Sequence, residues 1–290
     1  MWGRNAVVAG VLALAVAAVP ANAMPKSSAQ HLAWFQPNNI YHSGLRGTHT
    51  VALTFDDGPN HYTAAVLDAL KALDVKATFF IVGRMAHAHP DILARIADEG
   101  HLLGNHSATH PLLDQTYVDN PDRLLDELRD VDDQIAPLMP ADAKFYFRAP
   151  YGAWRPELAD ALNDDPVLRK YVGPIYWDEG GEVSFSDDGY ILSAADWDCW
   201  RRGWDPATCA KGYIREIRRK DGGVVILHCI HAQSGALVAE LVPPLIEEGY
   251  NFVRLDEVPG YQKYETTPQE SEPSVASLDG PRPGAQIAQR

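Results

Sequence analysis

Cysteine is scarce, with three in 290 residues, which excludes a small scaffold held together by disulfides. Basic charge is also in deficit: 25 Lys and Arg stand against 39 Asp and Glu, a formal charge of −14. Nucleic acid binding depends on clustered Lys and Arg that neutralise phosphates, so the composition speaks against a nucleic acid partner and favours a neutral or cationic one. No long apolar run follows the first two dozen residues, so the mature chain carries no membrane span. Neither an internal repeat nor a coiled-coil pattern is present, and the expectation is a monomer. What is there is ordinary globular composition, 46% hydrophobic and 22% charged, enough for one sizeable core.

Residues 1–23 read as a signal peptide. Arg4 is their single charge, an apolar stretch runs from Ala6 to Val19, and Ala21-Asn22-Ala23 is a small-x-small cleavage site. The protein is therefore expected to be exported, periplasmic or secreted, with a retained membrane anchor as the alternative. Residues 24–49 form an N-terminal extension, and residues 263–290, rich in Pro, Ser, Glu and Gln, read as a disordered tail. An oxidising compartment permits a disulfide. Cys199 and Cys209 bracket a short loop and are the preferred pair, whereas Cys229 ends an apolar strand and reads as a buried thiol.

Between residues 50 and 262 short apolar runs alternate with amphipathic stretches, the pattern of an α/β fold around a largely parallel sheet. Strands are expected at Val51–Phe55, Ala77–Val82, His101–Gly104, Lys144–Arg148, Val224–His228 and Asn251–Arg254. Helices are expected at Thr63–Leu73, Pro90–Glu99, Asp122–Ile135, Pro156–Leu162, Ala207–Arg219 and Leu237–Glu248. Residues 163–205 break this rhythm and read as a long inserted loop. The chemistry-bearing residues follow the strands, where parallel α/β folds build their sites.

Thr54-Phe55-Asp56-Asp57-Gly58-Pro59 ends a strand with two carboxylates. One can bind a cation while the other faces a reacting water, although a helix cap plus turn accounts for the same residues. His106 and His110 are spaced to share one face of a helical turn, and with an Asp they form a metal site with open positions. By itself the spacing also suits a polar surface pair. Arg148 can grip a carboxylate, and the turn Pro150-Tyr151-Gly152 can aim a backbone amide at an oxyanion, or the two are an ion pair and a turn. His228 ends an apolar strand and can serve as a general acid or simply line the core. Asp196-Trp197-Asp198-Cys199-Trp200 offers an acid to orient His228 and an aromatic wall, or a small Trp-rich core.

Taken in this order the segments resemble the polysaccharide deacetylase family with the NodB-type domain, carbohydrate esterase family 4. Thr54 to Pro59 matches its first motif, His106 to His110 its His-Ser/Thr-x-x-His motif, Arg148 to Gly152 its Arg-x-Pro-Tyr-Gly motif and Leu227-His228 its Leu-x-His region. The resemblance implies a distorted (β/α) barrel of about seven parallel strands. It also implies a metal-dependent deacetylase acting on GlcNAc-containing polysaccharides or oligosaccharides, peptidoglycan or chitin-like. Asp57, His106 and His110 would hold the metal, commonly Zn2+ with Co2+ or another transition metal as alternatives. Asp56 would be the base, held by Arg148, His228 the acid, and the Tyr151 amide the oxyanion donor. Cys229 stands where family members often have Asp, and the usual Asp-Trp motif is replaced, so the residue orienting His228 is open between Asp196 and Asp198. An O-acetyl esterase and a silent carbohydrate-binding module are the competing readings.

Overall fold

The structure, a computed structural model, describes residues 35–117, 120–180, 184–185, 191–193, 195–262 and 264. The signal-peptide reading, and the tail reading apart from Tyr264, lie outside them. The strands are β1 (Phe35–Ile40), β2 (Thr50–Asp56), β3 (Thr78–Ile81), β4 (Leu102–Asn105), β5 (Phe145–Tyr146), β6 (Tyr171–Ile175), β7 (Ser184–Phe185), β8 (Ile191–Ser193), β9 (Gly222–His228) and β10 (Asn251–Phe252). β2 is buried from Val51 to Asp56, as a strand covered on both faces must be, and an unbroken apolar run supplies that burial.

All pairings but the β7–β8 hairpin are parallel. β9 lies along the full length of β2, β3 pairs β2 and β4, and β5 pairs β6. A bridge from Asn105 to Phe147 joins β4 to β5, and one from Glu179 to Val225 carries the chain after β6 back to β9. The result is the distorted parallel (β/α) barrel architecture, with β1 added to β6 and β10 to the start of β2.

Side chains of a strand alternate between faces. One face of this run supplies Ala52, Phe80, Leu102, Tyr146, Val172, Ile175 and Val224 to a small core that Leu255, Val258 and Tyr261 complete. The other face supplies Val51, Leu53, Phe55, Phe79, Ile81 and Val225 to a larger core shared with the surrounding helices. Helix Pro121–Ile135 shows the matching period, burying Leu124, Leu128, Val131 and Ile135. Its start is set by Asn120, whose side chain accepts from the Arg123 amide.

The expected strands and helices form, with ends shifted by a few residues. Residues 163–205 are not a loop throughout, because β6 is a strand of the main run. Its sequence Tyr-Val-Gly-Pro-Ile carries two residues that ordinarily break strands. Gly173 is required there because a Cβ would lie 2.6 Å from the Phe147 carbonyl oxygen. Phe35–Ile40, in the stretch read as an extension, also forms a strand; its Pro37 and two Asn residues are tolerated at an edge. Cys199 and Cys209 form the disulfide, and Cys229 is a buried free thiol.

Candidate active site

Alternation along the strands assembles the site. Asp56 follows Ala52 and Thr54 on the inner face of β2, Arg148 follows Tyr146, His106 follows Leu102 and Gly104, and His228 follows Val224 and Ile226. Each is the next residue of its row beyond or at the C-terminal strand end, so four strands point four polar groups at one place.

Arg148 is fully buried. Its Nη1 donates to Asp56 Oδ1 at 2.8 Å and to Thr54 Oγ1 at 2.8 Å, while Nε donates to the Ile175 carbonyl and Nη2 to the Tyr176 carbonyl. Thr54 in turn donates to the Val225 carbonyl. Phe80 lies beneath the guanidinium at 4.2 Å and Trp177 at 5.6 Å. A buried cation needs this degree of satisfaction, and among the described residues Asp56 is the one carboxylate bonded to it. The family resemblance implied the Arg148–Asp56 pair, but Thr54 and the carbonyls of Ile175 and Tyr176 were missed, because nothing in a sequence marks which carbonyls turn inward.

His106 and His110 do not sit on a helical turn as their spacing suggested. The connecting loop contains left-handed residues at Ser107 (φ 65°) and His110 (φ 59°). Asn105 Oδ1 accepts from the Ser107 amide and Ser107 Oγ from the His110 amide, holding the loop in short side-chain turns. These bring donor atoms of Asp57, His106 and His110 within 4.8 Å of one another, and among the described residues no other such trio occurs. His106 Nδ1 donates to the Arg148 carbonyl at 2.8 Å, so its Nε2 presents a lone pair.

Asp57 Oδ1 lies 3.0 Å from His110 Nε2 and 3.5 Å from His106 Nε2, yet it is buried with no aligned hydrogen bond. An orphaned carboxylate oxygen beside two imidazole nitrogens is a donor set that a divalent transition cation fits. Burial works to raise the Asp57 carboxyl, but His106, His110 and the charge of His228 hold it well below the usual carboxylate range.

His228 closes the opposite side, with Nε2 4.0 Å from Asp57 Oδ2. The structure brings Asp196, not Asp198, to this imidazole. Asp196 Oδ1 accepts from His228 Nδ1 at 2.7 Å, and Oδ2 accepts from the His228 amide at 2.7 Å. Asp198 instead pairs with Arg201 and Arg202. Tyr213 fixes Asp196 in turn: its hydroxyl accepts from the Asp196 amide and donates to the Ile226 carbonyl. Burial opposes charge on His228, but Asp196 beside it, reinforced by Asp57 and Asp56, pushes its pKa up to about 10. Tyr151 is exposed, with its ring 4.6 Å from that of His110 and a left-handed backbone (φ 59°).

Comparisons with known proteins place relatives beside this chain. A family model described as polysaccharide deacetylase matches residues 44–167. A peptidoglycan-N-acetylglucosamine deacetylase of Bacillus cereus is 33% identical over 204 residues, covering 69% of this chain and 67% of that protein. The structure of peptidoglycan deacetylase PdaC from Bacillus subtilis is similar at a TM-score of 0.56 and 26% identity, over 76% of this chain and 93% of that one. A CE4 family pseudoenzyme from Bacillus anthracis is similar in fold, at a TM-score of 0.58 and 24% identity over 77% of this chain and 69% of that one. A fold shared with a pseudoenzyme leaves activity to the site residues. Sequence identity sustained over two thirds of a named deacetylase nonetheless settles the kinship, and the chain belongs to the polysaccharide deacetylase family.

Proposed function

We propose that the protein is an exported, metal-dependent hydrolase that removes N-acetyl groups from a GlcNAc-containing glycan, with peptidoglycan as the first candidate. The observation that carries this reading is the placing of Asp56 between Arg148 and the Asp57–His106–His110 donors, with His228 paired to it across β2 and β9. The relatives named as peptidoglycan deacetylases support the glycan, and the leader-like residues 1–23 together with the extracytoplasmic location of peptidoglycan support export.

Asp57, His106 and His110 would hold the metal, and two imidazoles with one carboxylate suit zinc. When bound, such an ion supplies Lewis acidity toward an acetyl carbonyl and toward water. Arg148 occupies Asp56 Oδ1, which leaves Oδ2 as the atom that takes the proton from the attacking water. The Tyr151 amide donates to the oxygen that gains negative charge as the carbonyl carbon becomes tetrahedral. Asp196 engages His228 Nδ1, so His228 carries its transferable proton on Nε2 and delivers it to the departing nitrogen. That proton is essential, because an amide anion is a very poor leaving group. The products are acetate and a free glycan amine.

The test is acetate release from GlcNAc oligomers and from peptidoglycan by metal-stripped protein, before and after zinc addition. Zinc-restored release is expected. No release from either polymer with zinc demonstrably bound would turn the reading toward an ester-linked acetyl group. His228→Ala separates these further, since an alkoxide leaves more readily than an amide anion and an ester substrate would suffer less from the loss of the proton donor.

A further inference from the structure

The turn that carries Tyr151 also touches an aromatic stack contributed by segments outside the family motifs. Gly152 has φ +66°, and a Cβ there would lie 2.8 Å from the Tyr176 ring and 3.3 Å from Trp177. The missing side chain is what lets these rings close on the turn. Tyr176 stacks on Trp177 with centroids 3.9 Å apart, and Tyr41 packs on Tyr176 at 4.5 Å. Tyr41 follows β1, and Asn39 of that strand donates to the Gly152 carbonyl at 3.0 Å, tying the segment to the same turn. Tyr41 and Tyr151 are 50% and 66% exposed. Aromatic rings therefore flank the turn on both sides, Tyr151 against His110, and Tyr176 and Trp177, with Tyr41 on Tyr176, against Gly152.

Beyond Tyr151 these rings have no catalytic atom to offer, and an exposed aromatic ring such as Tyr41 beside a candidate active site suits a ligand with an apolar face. A pyranose ring fits, because its axial hydrogens present an apolar face to an aromatic ring while its hydroxyls remain in water. An uncharged sugar also escapes the repulsion that the acidic surface imposes on anions. We infer that Tyr41, backed by Tyr176 and Trp177, is a stacking platform for a sugar at least two positions along the chain from the acetylated residue. The enzyme then grips an oligosaccharide rather than a single sugar. The inference rests on the glycan-deacetylase reading for the orientation of the chain, but its test does not need turnover.

The experiment is calorimetric titration of the zinc-loaded protein with β-1,4-linked GlcNAc dimer and hexamer, in an Asp56→Asn background that stops hydrolysis. Tyr41→Ala is expected to weaken hexamer binding roughly fivefold to tenfold, the scale of one aromatic contact, and dimer binding less than twofold. Tyr41→Phe should restore it. In the active protein the same change should appear in KM for the hexamer, with kcat within twofold. Hexamer affinity unmoved by Tyr41→Ala, or no hexamer binding to the Tyr41-containing protein, overturns the inference. So does an equal loss for dimer and hexamer, or a parallel collapse of aryl acetate hydrolysis, either of which marks Tyr41 as structural. Hexamer binding without acetate release from the active protein counts against the proposed reaction, while the Tyr41 comparison still decides the platform.

Discussion

Asp56 and His228 are the final paired residues of the parallel ladder between β2 and β9. Neighbouring parallel strands in register project paired residues from the same face, so the ladder itself sets the two side chains next to each other. What differs is the partner of each. Asp56 is bonded by the buried Arg148, and His228 is bonded by the buried Asp196. A carboxylate on a guanidinium and an imidazole on a carboxylate make a proton acceptor beside a proton donor, the pairing that hydrolysis of an amide requires.

Asp56→Asn retains the shape of the side chain and removes its ability to take a proton. Acetate release should fall by about two orders of magnitude or more, the scale of a lost general base. Zinc content should stay stoichiometric, since Asp57, His106 and His110 are untouched. Measuring both on one preparation tests the division of labour between the adjacent carboxylates: near-normal turnover would remove Asp56 from the base role, and loss of zinc would move it among the ligands.

The pH profile reports on Asp196. With its pKa raised, His228 is protonated at neutral pH, and activity should decline as pH rises through that value. A cation beside Asp57 opposes charge on the imidazole, so the alkaline limb of the metal-loaded protein belongs below pH 10. Asp196→Asn withdraws the largest interaction favouring the imidazolium, and the limb should move about one to two pH units lower. Asp198→Asn should leave it in place, because Asp198 is bonded to Arg201 and Arg202. A limb that ignores Asp196→Asn would show that another group titrates in the rate profile.

Much of this was readable in the chain. Asp56, Arg148 and His228 end rows of alternating strand residues, and alternation is a sequence property. The His106–His110 spacing was legible as a metal pair but not as a loop, because the short side-chain turns from Asn105 and Ser107 compete with a helical turn using the same residues. Asp196 and Asp198 could not be separated in advance: two positions apart on one short helix, they face different ways, and only the packing of Tyr213 and β9 decides which meets the imidazole. β6 was hidden because its Gly and Pro satisfy tertiary constraints, a close approach to Phe147 in particular, that no local preference encodes.

The Cys199–Cys209 disulfide closes a ten-residue separation and anchors the helix Asp196–Arg201 to the helix Pro206–Lys220. Loop-closure entropy assigns it about 3 kcal/mol of stability. A Cys199→Ala, Cys209→Ala double variant should therefore unfold at lower denaturant concentration. Because the first of these helices carries Asp196, the variant should also lose amide hydrolysis more than ester hydrolysis. Equal losses on both substrates would confine the disulfide to stability alone.

Glu179 is fully buried at the bridge between the β6 extension and β9, and neither of its carboxylate oxygens has a hydrogen-bond partner. Burial, with the charge of Asp178 adding to it, pushes its pKa up to about 9, and Lys220, 3.9 Å away, offsets only part of this. The unfolded chain ionises Glu179 near the ordinary value of 4.5. The folded form thus binds the proton more tightly, and its contribution to stability is complete below about pH 4.5 and is lost as pH rises toward 9. Glu179→Gln is a neutral replacement of the same shape that has no charge to bury. Thermal unfolding should show the variant roughly 5 °C more stable than the parent at pH 8 and close to it at pH 4.5. The contrast between the two pH values carries the argument: an equal shift at both would be a packing effect, and a less stable variant at pH 8 would mean that Glu179 is held ionised by Lys220.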